Sequence, residues 1–190
     1  MSLSAASGVS RLARFQAAGL EAFDATPAGL LNALTPWLAF ALVAFGLLLV
    51  AGKPVDAVAD LLASTVALLA PPVLSHALAR RWGREERWLR YAVAVTWCQW
   101  VMPPALLLAL MGSYVLMVLG VPETMAEPVA LLALLGYAVA LNLFLARAAL
   151  DLSRWRAAGM VATVNLGTAA VVVLPGALAA VLARMAGGGA

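Results

Sequence analysis

The side chains able to do chemistry in this chain are few and scattered. They are one histidine, His76, one cysteine, Cys98, the serines Ser64, Ser75 and Ser113 within apolar runs, and the carboxylates Asp56 and Asp60 one helical turn apart. A metal site needs several donors in one neighbourhood, and His76 has no second histidine, no nearby cysteine and no HExxH spacing. His76 therefore reads as a structural histidine bonded to backbone or water, with a proton relay or phosphotransfer as the formal alternatives. Serine nucleophiles need a GxSxG elbow or an assembled base and orienter, and none of the three serines has either. No catalytic residue, cofactor or metal is expected. Asp56 and Asp60, close to Lys53, read as a solvated helix start favoured by the helix dipole, or as a cation entrance.

The residues that could shape a passage are prolines. Two pairs recur in consecutive apolar runs, APPVLSHAL at Ala70 to Leu78 and MPPALLLAL at Met102 to Leu110. In regular helices Pro71 and Pro72 would free the carbonyls of Ala67 and Leu68, and Pro103 and Pro104 those of Gln99 and Trp100. Ser64, Thr65, Thr96 and Gln99 are close enough in sequence to serve the freed carbonyls, with neighbouring helices or water as alternatives. Paired breaks of this kind either bend helices to fit their neighbours or mark a transport site. In the second case Pro71, Pro72, His76, Gln99, Pro103 and Pro104 surround a cavity. Gly159, Thr163 and Gly167 recur every four residues and permit close helix packing, and Asn32, Asn142, Asn165 and Gln99 can hydrogen-bond between helices.

The elements that must carry these residues follow from composition. The chain has 190 residues, of which 65% are hydrophobic and 11% charged, with a mean hydropathy of +0.99. Soluble domains carry about 25% charged residues, so this composition belongs in a bilayer. No polar stretch is long enough to build a second, aqueous core. Crossing ~30 Å of hydrocarbon takes about 20 helical residues, and five runs qualify: 27–50, 57–79, 91–119, 128–146 and 157–183. The expected fold is all-α, a polytopic bundle of five transmembrane helices, since the continuous runs do not alternate as barrel strands do. Ahead of it, residues 1–26 hold an amphipathic segment, Val9 to Phe23, expected as a short helix in the interface. A docking helix for a soluble partner would show the same pattern. Thr26 is the expected N-cap of the first span, with Pro27 at its first position. Residues 184–190 form a short tail.

Five crossings divide the loops into two sets. Arg11, Arg14, Arg80, Arg81, Arg84, Arg87, Arg90, Arg147, Arg154 and Arg156 fall on one side, Lys53 and Arg184 on the other. Ten against two places the N-terminus in the cytoplasm and the C-terminus outside, because basic loops stay on the inner side. No early basic residue precedes an unbroken apolar core, so no cleaved signal peptide is expected. Lone Cys98 implies no disulfide framework.

That asymmetry accounts for RRWGREERWLRY, which holds Arg80, Arg81, Arg84, Arg87 and Arg90. With Trp82 and Trp88, and with Arg154, Trp155 and Arg156 in the last inner loop, these residues read as a headgroup anchoring belt. A specific site for anionic headgroups at the cytoplasmic face is the sharper alternative. The net charge of +3 does not indicate nucleic acid, since no groove-reading module is present.

The layout and three segments, FDATPAGLLNAL, ALARRWGREERWLRYAVAVTW and RAALDLSRWRAAGMVATVNL, resemble the bacterial branch of the Ypt-interacting-protein (YIP) membrane family over about Leu20 to Leu182. The resemblance implies a five-span protein of a bacterial inner membrane. Eukaryotic relatives act through Rab-type GTPases, but no DLYGP-like motif occurs here, so neither a GTPase partner nor a functional residue carries over. Two readings of function follow. One is a non-enzymatic scaffold or accessory subunit that associates with other membrane subunits or with itself. The alternative is a small permease or channel at the proline-broken second and third spans.

Overall fold

Thr26 starts the first membrane helix as its sequence predicts. Its hydroxyl oxygen accepts the backbone N–H of Gly29 at 3.1 Å and donates to the Asp24 carboxylate at 2.9 Å, while Pro27 occupies the first helical position, where a missing N–H costs nothing. Gly29 is required by the same corner, because a Cβ there would run into the carbonyl of Asp24.

The computed structural model describes residues 3–187, with side chains described over 5–174. Seven α-helices follow in order, α1 (Leu3–Ala13), α2 (Pro27–Val50), α3 (Pro54–Arg81), α4 (Glu85–Cys98), α5 (Met102–Val118), α6 (Glu123–Leu150) and α7 (Arg154–Gly187). Short 3-10 turns lie at Ala17–Ala22 and Gln99–Val101, and no strand occurs among the described residues. Five spans are long and apolar enough to cross a membrane: α2, α3, α4 with α5, α6, and α7 over Arg154–Leu174. The protein is an integral membrane protein. Arg184 and the tail expected over 184–190 lie outside the residues whose side chains are described.

The first span has the bounds its sequence predicts, Pro27–Val50. The others extend past the apolar runs into their polar flanks, α6 for instance from Glu123 to Leu150 where the apolar run covers only 128–146. Helical hydrogen bonding continues wherever caps permit, whereas hydropathy marks only the part that suits lipid.

Four helices end in one pattern. The backbone N–H groups of Gly52, Gly83 and Gly120 bond back to Leu49, Arg80 and Met117, and those of the next residues to Leu48, Ala79 and Leu116, closing paired C-terminal turns with the glycine at positive φ. The end of α1 makes the same two bonds, Phe15 to Leu12 and Gln16 to Arg11, yet the residue in the left-handed region is Phe15, at φ 59°. A bulky side chain is strained there.

The chain divides into two compact units. The first comprises Met1–Ala33 and Glu86–Val161. Instead of one helix over Val9 to Phe23, its N-terminus forms a hairpin: α1 reverses at Phe15 and packs against the Ala17–Ala22 turn. Gly8 and Gly19 let the two arms touch, since a Cβ on Gly19 would stand 2.6 Å from the Gly8 carbonyl oxygen and one on Gly8 2.7 Å from Ala22 Cβ. Leu12, wholly buried, fills the crossing. The hairpin contacts α6 and the Gln99–Val101 turn, and α5 packs along α6. The second unit comprises Leu34–Glu85 and Ala162–Ala190. In it Gly167 of α7 lies under Leu74 of α3, whose Cδ1 would be 2.8 Å from a Cβ added to the glycine.

Candidate functional site

The two proline pairs behave differently. Pro71 and Pro72 lie within an unbroken α3, half-buried. Before Pro103 and Pro104 the helix tightens into the Gln99–Val101 turn, and the Met102 N–H bonds the Gln99 carbonyl. That carbonyl is one of those the prolines deprive of a donor, so the 3-10 turn restores its partner locally. Thr65 and Thr96, expected to serve freed carbonyls, instead donate to Leu61 at 2.7 Å and Ala92 at 2.8 Å, one turn back in their own helices. Ser75, Ser113 and the Asn142 amide likewise donate to Pro72, Leu110 and Ala138. The intrahelical carbonyl is the nearest acceptor, so it outcompetes acceptors on other helices.

Of the residues expected around a cavity, Pro71, Pro72 and His76 belong to the second unit and Gln99, Pro103 and Pro104 to the first. Pro103 and Pro104 are exposed and Gln99 half-buried. His76 Nε2 lies 3.3 Å from the Glu85 carboxylate, a side chain, where backbone or water was expected. Among the described residues no group of three or more His, Cys, Asp or Glu side chains could hold a metal ion. Asp56 and Asp60 are exposed on the first two turns of α3.

The arginine-rich turn is built by Gly83, whose positive φ ends α3 and lets α4 begin at Glu85. Arg80, Arg81, Arg87 and Arg90 are exposed, Arg84, Trp82 and Trp88 half-buried. Arg87 pairs with Asp151 at 3.2 Å, and Asp151 ends α6 in the left-handed conformation that a short polar side chain tolerates. Arg154, Trp155 and Arg156 stand on the first turn of α7, Trp155 being 87% exposed. An exposed indole flanked by two guanidinium groups suits a headgroup layer.

Of the small-residue series on α7, Gly167 lies against Leu74 of α3. Gly159 and Thr163 are exposed, and a Cβ on Gly159 would meet nothing.

One constellation was not anticipated. Phe15, at the hairpin tip, lies edge-on to Tyr137 and Phe144 of α6, with ring centroids 5.9 Å and 5.6 Å away, and the Tyr137 hydroxyl donates to the Ala13 carbonyl at 2.9 Å. The available signal was Tyr137 itself, a phenol in an apolar run whose O–H needs an acceptor.

Compared with protein-family models, with curated proteins and with solved structures, the chain gives no match.

Proposed function

We propose that this integral membrane protein is a non-enzymatic scaffold or accessory subunit working through helix association. The observation behind this reading is the bareness of its spans: within the most apolar window of each, only 6% to 17% of residues are buried. Large side chains such as Phe40, Leu47, Leu62, Leu108, Leu132 and Leu166 stand between 59% and 71% exposed. Lipid covers such faces, and so do other helices, which approach most closely over small residues such as Gly159 and Thr163. The ten-to-two distribution of basic residues supports a cytoplasmic N-terminus, and the likeness of the three quoted segments supports a YIP-type protein of a bacterial inner membrane. Extraction from native membranes into lipid nanodiscs, followed by native mass spectrometry, tests the reading. A stoichiometric membrane partner or a defined homo-oligomer is expected, and a monomeric, partner-free chain overturns it.

The permease reading draws on one observation, the 3-10 turn at Gln99–Val101 ahead of two exposed prolines. Solute uptake into proteoliposomes that Gln99→Leu abolishes would favour it over the scaffold.

A further inference from the structure

The hairpin tip reaches far along α6. Tyr137, which holds the Ala13 carbonyl, stands 13 residues before the helix end at Leu150, about 20 Å along the axis. Phe144, which receives the Phe15 ring, stands six residues before that end. Arg11 and Arg14 flank this tip, both exposed. An exposed guanidinium group is costly in hydrocarbon, so the surroundings of the tip must be water or headgroups.

Burial within the same unit puts the boundary at the same level. On α6 the large exposed apolar side chains run from Met125 to Val139 and then stop, while Leu141, Leu145 and Leu150 are buried. On α5 they run from Leu106 to Val118. Along α4, residues Tyr91 to Ala94 are buried and no large apolar side chain is exposed. Bare apolar surface therefore lies beyond the tip, whereas the last turns of α6 and the Tyr91–Ala94 stretch of α4, which follows its arginines, bury their apolar side chains.

We propose that the hairpin, α4 and the last turns of α6 form a platform at headgroup level, and that Arg11 and Arg14 bind the phosphate of an anionic phospholipid there. The hydrocarbon edge then lies at Tyr137 and Phe144, ahead of the apolar limit at Ala146. Glu21 and Asp24 are the acidic residues of the N-terminal segment, both exposed and both beyond the Ala17–Gly19 stretch that leaves the tip. Among the described residues neither Arg11 nor Arg14 has an ion-pair partner; a headgroup phosphate supplies that anion, and membrane insertion brings it to them.

The test uses the full chain in nanodiscs of phosphatidylglycerol and phosphatidylcholine. A nitroxide is placed at Gln16→Cys or, separately, at Leu132→Cys, each with Cys98→Ala. Power saturation is expected to find the Gln16 label accessible to a water-soluble nickel complex and the Leu132 label accessible to oxygen. Equal oxygen accessibility overturns the platform. Phosphorus relaxation by the Gln16 label is expected to favour phosphatidylglycerol, and each of Arg11→Gln and Arg14→Gln to lower that preference about fivefold. Equal relaxation of both lipids, or a preference untouched by the double substitution, overturns the phosphate site. Excess inorganic phosphate is expected to leave the preference intact, and loss of it would overturn the assignment to lipid. The depth readings on the arginine variants establish that the hairpin still docks.

Discussion

Tyr137 donates its phenolic hydrogen to the carbonyl of Ala13 across 124 positions of sequence, at 2.9 Å. Ala13 is the last residue of α1, and the final carbonyls of a helix have no intrahelical donor. The phenol thus supplies a helix cap from another element and fixes where the hairpin docks.

Tyr137→Phe keeps the ring against Phe15 and removes only the donor. A hydrogen bond of this kind contributes about 1 kcal/mol net, and more is lost if the carbonyl stays dry. The variant is expected to unfold a few degrees earlier in detergent, and trypsin to cut after Arg11 and Arg14 faster than in the parent. Unchanged cleavage would mean that the bond does not hold the hairpin.

Phe15 poses an opposed pair of effects. Its positive φ costs roughly 1 kcal/mol, which glycine would avoid, while each edge-to-face ring pair contributes about 0.5–1.5 kcal/mol. Phe15→Ala loses the rings and keeps the strain, whereas Phe15→Gly loses both. Phe15→Gly is therefore expected to be the more stable of the two, by about 1 kcal/mol, with both below the parent. Chemical denaturation of the three proteins in one detergent measures the order.

The corner before α2 gives a third expectation. Thr26→Ala removes the cap at a cost of about 1 kcal/mol. Gly29→Ala is expected to cost more, because its methyl group meets backbone, the Asp24 carbonyl, which moves only if the corner opens. Melting curves should rank the parent first, Thr26→Ala second and Gly29→Ala last.

What the sequence carried plainly was whatever depends on neighbours along the chain. Hydropathy gave five spans, Thr26-Pro27 gave a helix start to the residue, and the arginines marked their ends. Relations between distant segments were not legible. Nothing around Phe15 distinguishes a residue that reverses the chain, because the left-handed turn usually announces itself by glycine and here is held by rings 122 and 129 positions away. The amphipathic pattern of Val9 to Phe23 was real, yet the hairpin buries Leu12 and Leu20 at once in a way one continuous helix need not. For the polar side chains, sequence could not choose between a distant carbonyl and one four residues back, and proximity decided for the latter.

Gly167 and Leu74 allow the packing of α7 on α3 to be tested inside the second unit. The contact falls on the flexible end of a leucine, so Gly167→Ala requires Leu74 to shift and is expected to cost about 1 kcal/mol or less. Gly167→Val crowds the site further and should cost about 1–3 kcal/mol, the range for overpacked cores. Leu74→Ala opens room opposite the new side chain, so the double variant Gly167→Val with Leu74→Ala should be more stable than the sum of the single effects. A coupling of more than about 0.5 kcal/mol in a double-mutant cycle, read from denaturation in one detergent, marks the two residues as touching. Strict additivity would mean that Gly167 and Leu74 do not touch and that the packing of α7 on α3 does not run through this pair.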